Sequence, residues 1–349
     1  MSGGVERRPD ADSAGAAASA AHRAPDGSFL NPWPDSALRG WRDVLRWMRE
    51  RRTRPRAATP PRGSFPTAAP AISYPRAGDA GLAATWIGHS TVLLQIGGLN
   101  VLTDPVWSLR ASPSQWVGPR RIMDAAVAID ALPPLDVVVL SHNHYDHLDR
   151  AAVRRIAKMH PRATWIAPLG VGRSLRAWGV RKLVELDWWQ ATAIDGLRVT
   201  ATPSRHFSGR GFRDRNRSLW CGFAFEIGGR RAWFAGDTAY HPEFPAIGAR
   251  LGPFDFVMIP IGAYDPRWFM QVVHVDPEEA VQVYRDLLAP HGGAPPPLML
   301  CIHWGTFRLT DEPMDEPPRR ILARWRAKGL DEGRLWIARF GETRSALTG

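Results

Sequence analysis

The sequence predicts a mixed α/β or α+β domain, because apolar runs that form strand hairpins are interspersed with units in which a strand is followed by a helix. Paired glycines mark two of the hairpins, Gly97-Gly98 and Gly228-Gly229. The chain has 349 residues, 44% of them hydrophobic and 23% charged, which is enough to bury a large core. No apolar run approaches the roughly 20 residues of a membrane-spanning helix. This composition excludes an integral membrane protein and a wholly disordered chain.

Eleven short apolar runs, bounded by glycine, proline or polar residues, are predicted strands. In chain order they are 83–87, 91–96, 99–102, 137–140, 164–167, 183–186, 199–201, 221–227, 231–235, 256–259 and 298–302. Helical patterns cover 150–159, 172–178, 277–288 and 319–328. The third is the clearest, because Asp276, Pro277 and Glu279 supply an N-cap, an N1 proline and a capping-box acid.

The first 75 residues differ in composition from the rest. Residues 1–27 have almost no large apolar side chain and are predicted to be a disordered tail. From 28 to 75 we expect a basic amphipathic helix, centred on 35–52, and a linker rich in proline and arginine. Arginines interleave with Leu38, Trp41, Leu45 and Met48 in this helix, so it can dock on the core or lie on an anionic membrane surface. Residues 76–349 then form the main domain.

Charge and cysteine content narrow the setting of the protein. The formal net charge is +11, but twelve arginines and seven acids of the chain lie in the first 70 residues, so the remainder is only mildly basic. This distribution counts against nucleic acid as a partner. The two cysteines, Cys221 and Cys301, are too few for a disulfide scaffold, and residues 1–25 lack the apolar stretch of a secretory signal. We therefore expect a cytoplasmic protein, with peripheral contact at the inner membrane face as an option.

Four potential metal ligands lie within six residues directly after the predicted strand 137–140. They are His142, His144, Asp146 and His147. Neutral imidazoles and a carboxylate suit zinc, iron or manganese. The spacing lets His142 and His144 point to one side while Asp146 and His147 turn to another, as two adjacent metals require. An exposed polar loop is the alternative reading of this segment.

Three further candidates, His206, Asp237 and His303, each follow the end of a predicted strand. Residues at such ends meet at one edge of a sheet, so these distant positions are expected to become neighbours of the loop. A single histidine such as His206 is more often a hydrogen-bonded structural residue. Because the loop 142–147 supplies several metal ligands, we expect His206 to be a ligand instead.

In this order the residues resemble the metallo-β-lactamase superfamily, whose fold is a four-layer αβ/βα sandwich. Further segments resemble the branch of N-acylphosphatidylethanolamine-hydrolysing phospholipases D, from about Phe29 to Arg326. These segments are Asn31-Pro32-Trp33-Pro34, 102–105, 112–115, 141–149, 185–189, 259–270, 274–280 and 303–307. The resemblance implies two zinc ions per chain, a phospholipid substrate and a homodimer. Release of N-acylethanolamine and phosphatidic acid would follow from attack of a metal-bound hydroxide on phosphorus.

The resemblance also assigns roles to the ligand candidates. One zinc would be held by His142, His144 and His206, the other by Asp146, His147 and His303, with Asp237 between them. Asp146 is expected to orient the nucleophile as well, and a protonated His274 or a metal-bound water to assist the leaving alkoxide. His89 is expected to be a supporting residue, and Asp104 to hydrogen-bond a ligand imidazole.

Two positions depart from the pattern of that branch. Val273 stands where the branch has glutamine, and Asp265 where it has glutamate. The first change removes a polar side chain next to His274, so the head-group preference of the branch does not carry over. Trp268, Phe269 and Met270 are predicted to line an acyl-chain groove, although core packing explains them equally well.

The same residues are compatible with other functions, which differ in what else they require. A hydrolase of a lactone or of a small water-soluble phosphodiester would use the same ligands. The sequence shows no extended basic arm and no RNA-binding module, which counts against RNA processing. Diiron electron transfer would require more acidic ligands and a flavin domain. A non-catalytic scaffold anchored by the basic helix would not need a complete ligand set.

Overall fold

The computed structural model describes residues 22–53, 57–79, 81–211, 213–288, 290 and 293–345. Within them, fourteen strands form two seven-stranded sheets. The first sheet contains β1 (Leu82–Gly88), β2 (Thr91–Ile96), β3 (Leu99–Thr103), β4 (Val137–Val139), β5 (Thr164–Pro168), β6 (Leu183–Leu186) and β14 (Thr343–Ser345). The second contains β7 (Ala191–Ile194), β8 (Leu197–Thr202), β9 (Gly222–Ile227), β10 (Arg230–Phe234), β11 (Phe256–Pro260), β12 (Leu298–Ile302) and β13 (Leu335–Trp336).

Each sheet combines an antiparallel half with a parallel half. The first has the order β14-β1-β2-β3-β4-β5-β6, and β3 to β6 run parallel. The second has the order β13-β12-β11-β10-β9-β8-β7, and β10 to β13 run parallel. The described helices are α1 (Trp41–Thr53), α2 (Arg150–Met159), α3 (Gly172–Ala177), α4 (Phe244–Leu251), α5 (Arg267–Met270), α6 (Pro277–Leu288) and α7 (Glu316–Ala327).

The two sheets pack face to face, with helices on their outer sides. Strand β4 shows the layering, because its side chains alternate between the two faces of the sheet. Val137 and Val139 belong to the core between the sheets, whereas Val138 packs with Val153 and Ile156 of α2. Helix α6 packs between α4 and α7 over the second sheet. The predicted four-layer αβ/βα sandwich is therefore confirmed.

Helices α4 and α6 approach each other closely at Gly248. A Cβ atom at this position would lie 2.4 Å from the carbonyl oxygen of Leu287, so a larger residue would force the helices apart. The sequence did not predict α4, since Pro245 and Gly248 interrupt its helical pattern.

The structure of the N-terminal segment differs from the predicted boundary of the disordered tail at residue 27. Residues 1–21 of the predicted tail lie outside the described residues, but residues 22–27 are part of the packed structure. His22 is fully buried, and its Nε2 lies 2.7 Å from Oδ1 of Asp187. Trp188 covers the His22 ring, with 4.3 Å between the ring centroids. The hydrogen bond between His22 and a buried carboxylate holds this segment against the domain. Composition alone does not reveal such a contact.

The predicted basic helix begins at Trp41 rather than near Asp35, and it docks along one face. The Trp47 indole donates a hydrogen bond to Asp311 at 2.6 Å, and Arg51 pairs with the same carboxylate at 2.7 Å. The Trp268 indole of α5 donates to Glu50 at 3.0 Å. No residue of α1 is buried, and its apolar side chains Trp41, Leu45 and Met48 are 68%, 53% and 49% exposed. One face of α1 is therefore docked on the rest of the protein, and the other face is exposed.

Candidate metal centre

The predicted ligands meet where strands of both sheets end. The loop that carries His142, His144, Asp146 and His147 follows β4 of the first sheet. From the second sheet, His206 follows β8, Asp237 follows β10 and His303 follows β12 directly. Gly236, with φ of +61°, turns the chain before Asp237, and a Cβ there would lie 2.6 Å from the Ser141 side chain. The predicted convergence of strand ends is confirmed.

The first group of side chains consists of His142, His144 and His206. Nδ1 of His144 lies 2.8 Å from Nε2 of His142 and 3.2 Å from Nε2 of His206. The rings of His142 and His206 are buried and that of His144 is partly buried, and the three cross one another at steep angles of 85°, 78° and 76°. Three imidazole nitrogens therefore point at one small volume.

The second group consists of Asp146, His147 and His303. Oδ2 of Asp146 lies 3.4 Å from Nε2 of each histidine. Oδ2 of Asp237 lies 3.1 Å from the same two nitrogens. It is also 3.9 Å from Nε2 of His142 and 3.8 Å from Nε2 of His206. Asp237 thus lies between the two groups.

Hydrogen bonds behind the ligands fix how the imidazoles present their nitrogens. Asp104 Oδ2 accepts from Nδ1 of His147 at 2.6 Å, as expected, and from the Ser141 hydroxyl at 2.6 Å. Since Ser141 donates to Asp104, its oxygen accepts from Nδ1 of His142 at 2.9 Å. Nδ1 of His206 donates to the Val273 carbonyl at 2.8 Å. These bonds leave Nε2 of all three rings directed at the centre of the site.

His89 supports the second group from the turn between β1 and β2. Its Nε2 donates to Oδ2 of Asp146 at 3.0 Å, and its ring lies 4.1 Å from the His303 ring. Both histidines have positive φ values, +55° for His89 and +65° for His303. Such conformations are uncommon outside glycine and recur at functional sites, where the surrounding structure holds them.

The electrostatics of the two groups differ. Burial lowers the pKa of His142 well below its usual value, that of His144 to about 3 and that of His206 to about 4. Burial also opposes a charge on His303, but Asp237 and Asp146 outweigh it and raise the pKa of His303 to about 9. The same carboxylates and Asp104 raise the pKa of His147 well above its usual value, against burial. The first group is neutral, and the second requires a positive charge beside its carboxylates.

The donor set fits metal ions. The proton on Nδ1 of His144 can satisfy only one of the two acceptor nitrogens that face it, which leaves a buried lone pair without a donor. Oδ1 of Asp237 and Nε2 of His147 and His303 also lack a hydrogen-bond partner among the described residues. Each group places its ligand atoms within 4.8 Å of one another. Imidazole and carboxylate ligands suit zinc, iron and manganese.

An apolar cavity of about 290 Å³ adjoins the first group. Leu38 and Val44 from the N-terminal segment line it together with Phe207, Phe269 and Val273. The Phe207 ring lies 4.4 Å from the His144 ring, so the cavity reaches the ligands. Phe207 was not among the predicted site residues, although its position next to His206 was a usable signal.

The three residues predicted to line an acyl-chain groove are placed differently from one another. Phe269 lines the apolar cavity. Met270 is buried in a small cluster with Val272 and Val273. Trp268 instead faces α1, where the Arg46 guanidinium lies 4.2 Å from its ring. Trp268 thus anchors the helix and does not line this cavity.

His274 lies at the edge of both groups. Its Nε2 is 3.9 Å from Oδ2 of Asp237, and its ring centroid is 5.1 Å from that of His206. Burial lowers its pKa well below the usual histidine value. A protonated His274 was one prediction from the sequence, and the enclosed setting instead favours a neutral imidazole.

We expect Asp104→Asn to weaken metal binding about 10- to 100-fold, because Asp104 orients His147 and holds Ser141 against His142. The measurement is zinc competition against a chromophoric chelator. Asp124→Asn, at an exposed carboxylate 68% accessible to solvent, is the matched control. Unchanged zinc affinity in a folded Asp104→Asn protein would show that this carboxylate does not support the ligands.

Fold and site together define a metal-dependent hydrolase of the metallo-β-lactamase fold. The beta-lactamase superfamily domain matches residues 99–304. An isothiocyanate hydrolase from Delia radicum gut bacteria, a solved structure, shares this fold with a TM-score of 0.59 and 19% identity over 76% of this chain and 99% of that chain.

Two curated relatives are more similar to this chain in sequence than the isothiocyanate hydrolase is. An uncharacterized protein of Mycobacterium tuberculosis is 46% identical over 85% of this chain and 78% of its own length. N-acyl-phosphatidylethanolamine-hydrolyzing phospholipase D 1 of Caenorhabditis elegans is 39% identical over 74% of this chain and 77% of its own length. Within the superfamily, the chain belongs to the family of N-acylphosphatidylethanolamine-hydrolysing phospholipases D.

Proposed function

We propose that the protein is a dinuclear zinc phosphodiesterase that hydrolyses N-acylphosphatidylethanolamine to N-acylethanolamine and phosphatidic acid. The observation that carries the proposal is the pair of ligand groups, with Asp237 Oδ2 within 3.1–3.9 Å of nitrogens in both. We assign His142, His144 and His206 to one ion, Asp146, His147 and His303 to the other, and Asp237 to both. When bound there, two such ions would supply Lewis acidity to a phosphoryl oxygen and would lower the pKa of water to about 7. Iron and manganese are alternative occupants.

The protein's own residues would hold and orient the reactants. Asp146, fixed by His89, is positioned to accept a hydrogen bond from the attacking water and to direct its oxygen towards phosphorus. His274 faces the same space as a neutral imidazole that can donate a hydrogen bond to the leaving ethanolamine oxygen. The water oxygen ends in phosphatidic acid, and its second proton goes to the released alcohol.

The apolar cavity supports a lipid substrate. Phe207 brings the cavity into contact with His144, and Phe269 and Val273 extend its apolar lining away from the ligands. An acyl chain that leaves a phosphodiester bound at the ligands would therefore pass directly into apolar surroundings. The name of the C. elegans relative states the same substrate for that protein.

The alternative is a hydrolase of a lactone or of a small water-soluble phosphodiester, since the ligands alone suit these as well. Product analysis by mass spectrometry separates the two. We expect zinc-loaded protein to produce N-acylethanolamine and phosphatidic acid from mixed micelles. Turnover of a lactone or a soluble phosphodiester, without any turnover of the lipid by protein that holds two metals, would contradict the proposal.

We also propose that α1 contacts a membrane surface with its exposed face. No helix among the described residues is both long and apolar enough to cross a membrane. Trp41, Leu45 and Met48 are exposed beside arginines on a helix whose other face is docked. This arrangement is typical of helices that lie in the bilayer interface. Val44 of the same helix lines the apolar cavity, so the contact would bring the cavity to the lipid.

Replacing Leu45 and Met48 together by serine is expected to weaken binding to lipid vesicles about tenfold, because about half of each side chain is free to enter the interface. Stability should change by less than about 0.5 kcal/mol, since neither residue is buried. Co-sedimentation with vesicles measures the first effect and thermal unfolding the second. Met159→Ser, at another exposed methionine that is 40% accessible, is the control and should bind like the unmodified protein. Equal vesicle binding by the double variant would place the contact elsewhere.

A further inference from the structure

A second cavity, of about 530 Å³, lies beside the metal loop and is not part of the ligand groups. We call it the arginine pocket, because Arg110, Arg150, Arg154 and Arg210 line it together with Ser112 and Gln115. It is built from the loop after β3, the start of α2 and the segment after His206.

The arginine pocket has a large excess of positive charge. Asp149 is the one carboxylate among the residues that line it. Its oxygens accept hydrogen bonds from the backbone NH groups of Trp107, Ser108 and Ala151 and from the Ser108 hydroxyl, at 2.7–3.0 Å. This carboxylate caps α2 and orders the loop, and its single negative charge leaves most of the charge of the four guanidinium groups uncompensated. The pocket therefore attracts anions.

Two of the arginines build the wall of the pocket. Arg110 donates to the carbonyl oxygens of Gln115 and Gly118 at 3.1 and 2.6 Å, which shapes the loop. Arg210 donates to the carbonyl oxygens of Asn143 and Leu148 at 2.8 and 2.7 Å. These fixed guanidinium groups give the anion site a defined geometry.

The other two arginines are available for a ligand. Arg150 and Arg154 lie one turn apart on the same face of α2, are exposed, and pair with no carboxylate of the described residues. Their neighbour Arg155, in contrast, pairs with Asp130. Two free guanidinium groups next to two fixed ones match the several oxygens and the negative charge of a phosphate group.

The rim of the pocket indicates where the phosphate comes from. Trp116 and Val117 follow Gln115 in the chain and are 89% and 65% exposed. A tryptophan and an aliphatic side chain presented beside basic residues are typical of contact with the membrane interface. The pocket also shares Tyr145 and Arg210 with the apolar cavity, so both open on neighbouring parts of the surface.

We propose that the arginine pocket binds the phosphate of an anionic phospholipid with a phosphomonoester head group, while Trp116 and Val117 enter the bilayer interface. This site is separate from the ligand groups, and its occupation does not depend on the reaction that the protein catalyses. A lipid held there would bring the entrance of the apolar cavity against the membrane.

The test is co-sedimentation of the whole protein with phosphatidylcholine vesicles that contain phosphatidic acid. Replacing Arg150 and Arg154 together by glutamine is expected to weaken binding about 10- to 30-fold, since both free guanidinium groups are lost. Lys158→Gln with Arg162→Gln removes the same charge from the last turn of α2 and the turn that follows it, and this variant should weaken binding less than about twofold. If both double variants lose vesicle binding to the same extent, net charge alone explains the effect, and the proposal is overturned.

Two further measurements separate the lipid from a soluble ligand. Trp116→Ser should weaken vesicle binding and leave titration with glycerol 3-phosphate unchanged. Vesicles with phosphatidylglycerol at equal surface charge should bind more weakly than those with phosphatidic acid. Glycerol 3-phosphate that binds as tightly as the vesicles would overturn the assignment to a lipid, and so would equal binding to the two anionic lipids.

Discussion

Asp146→Asn is expected to lower turnover of N-acylphosphatidylethanolamine by about 10²- to 10⁴-fold while the fold is kept. The amide has nearly the same shape, but it lacks the negative charge with which Asp146 orients the attacking water and faces His147 and His303 at 3.4 Å. The measurement is the initial rate of N-acylethanolamine release at matched metal content, with near-ultraviolet circular dichroism as the check on folding.

Asp130→Asn is the control for this variant, since Asp130 is an exposed acid that pairs with Arg155 far from the ligands. Its turnover should equal that of the unmodified protein. Near-normal turnover of Asp146→Asn with two metals bound would remove Asp146 from the proposed chemistry.

Asp237→Ala is expected to have the largest effect on metal content. Its Oδ2 lies within 3.1–3.9 Å of five histidine nitrogens, those of His142, His147, His206, His274 and His303. Loss of this carboxylate removes a ligand from both groups at once. The affinity for metal should therefore fall by more than the 10- to 100-fold that is typical when a residue hydrogen-bonded to a ligand is replaced. We expect the zinc content after gel filtration to fall from two ions per chain to one or none, and turnover to fall below detection.

The result for Asp237→Ala is compared with that for Asp255→Asn, a partly exposed acid near the start of β11. This control should retain two ions. Two tightly bound ions in Asp237→Ala would contradict the assignment of Asp237 to both groups.

Local patterns predicted most of the fold and the residues that meet at the candidate metal centre. Helix α6 has the predicted bounds 277–288 because its cap, first-turn proline and acid all lie within four residues. These residues were predicted because each follows the end of an apolar strand, and such ends meet at one edge of a sheet regardless of their distance in sequence.

The missed elements depend on contacts that are distant in sequence or on weak local signals. Strand β14 pairs with β1 across about 260 residues and is partly exposed, so it has little apolar pattern of its own. Strand β7 was detectable, since Asp195 and Gly196, with φ of +49° and +87°, form the kind of turn that joins hairpin strands. The burial of His22 against Asp187 joins positions 165 residues apart, and composition carries no trace of it.

The arginine pocket illustrates the same limit for function. Arg110, Arg150, Arg154 and Arg210 are scattered among many arginines of a basic chain, and no spacing distinguishes them. They become a site only because the loop after β3 folds over the start of α2. The apolar cavity arises in the same way, from the N-terminal segment against Phe207 and Phe269. The expected homodimer stays a prediction of the family resemblance.

Hydrolysis of N-acylphosphatidylethanolamine in water enriched in ¹⁸O tests the central proposal most directly, because it identifies the bond that is cleaved. Attack on phosphorus places one ¹⁸O atom in phosphatidic acid and none in N-acylethanolamine, and this is the result that we expect from zinc-loaded protein. Asp146→Asn should give the same labelling at a much lower rate. Label in the hydroxyl of N-acylethanolamine or in a free fatty acid, or no product from protein that holds two metals, would contradict the proposed phosphodiesterase.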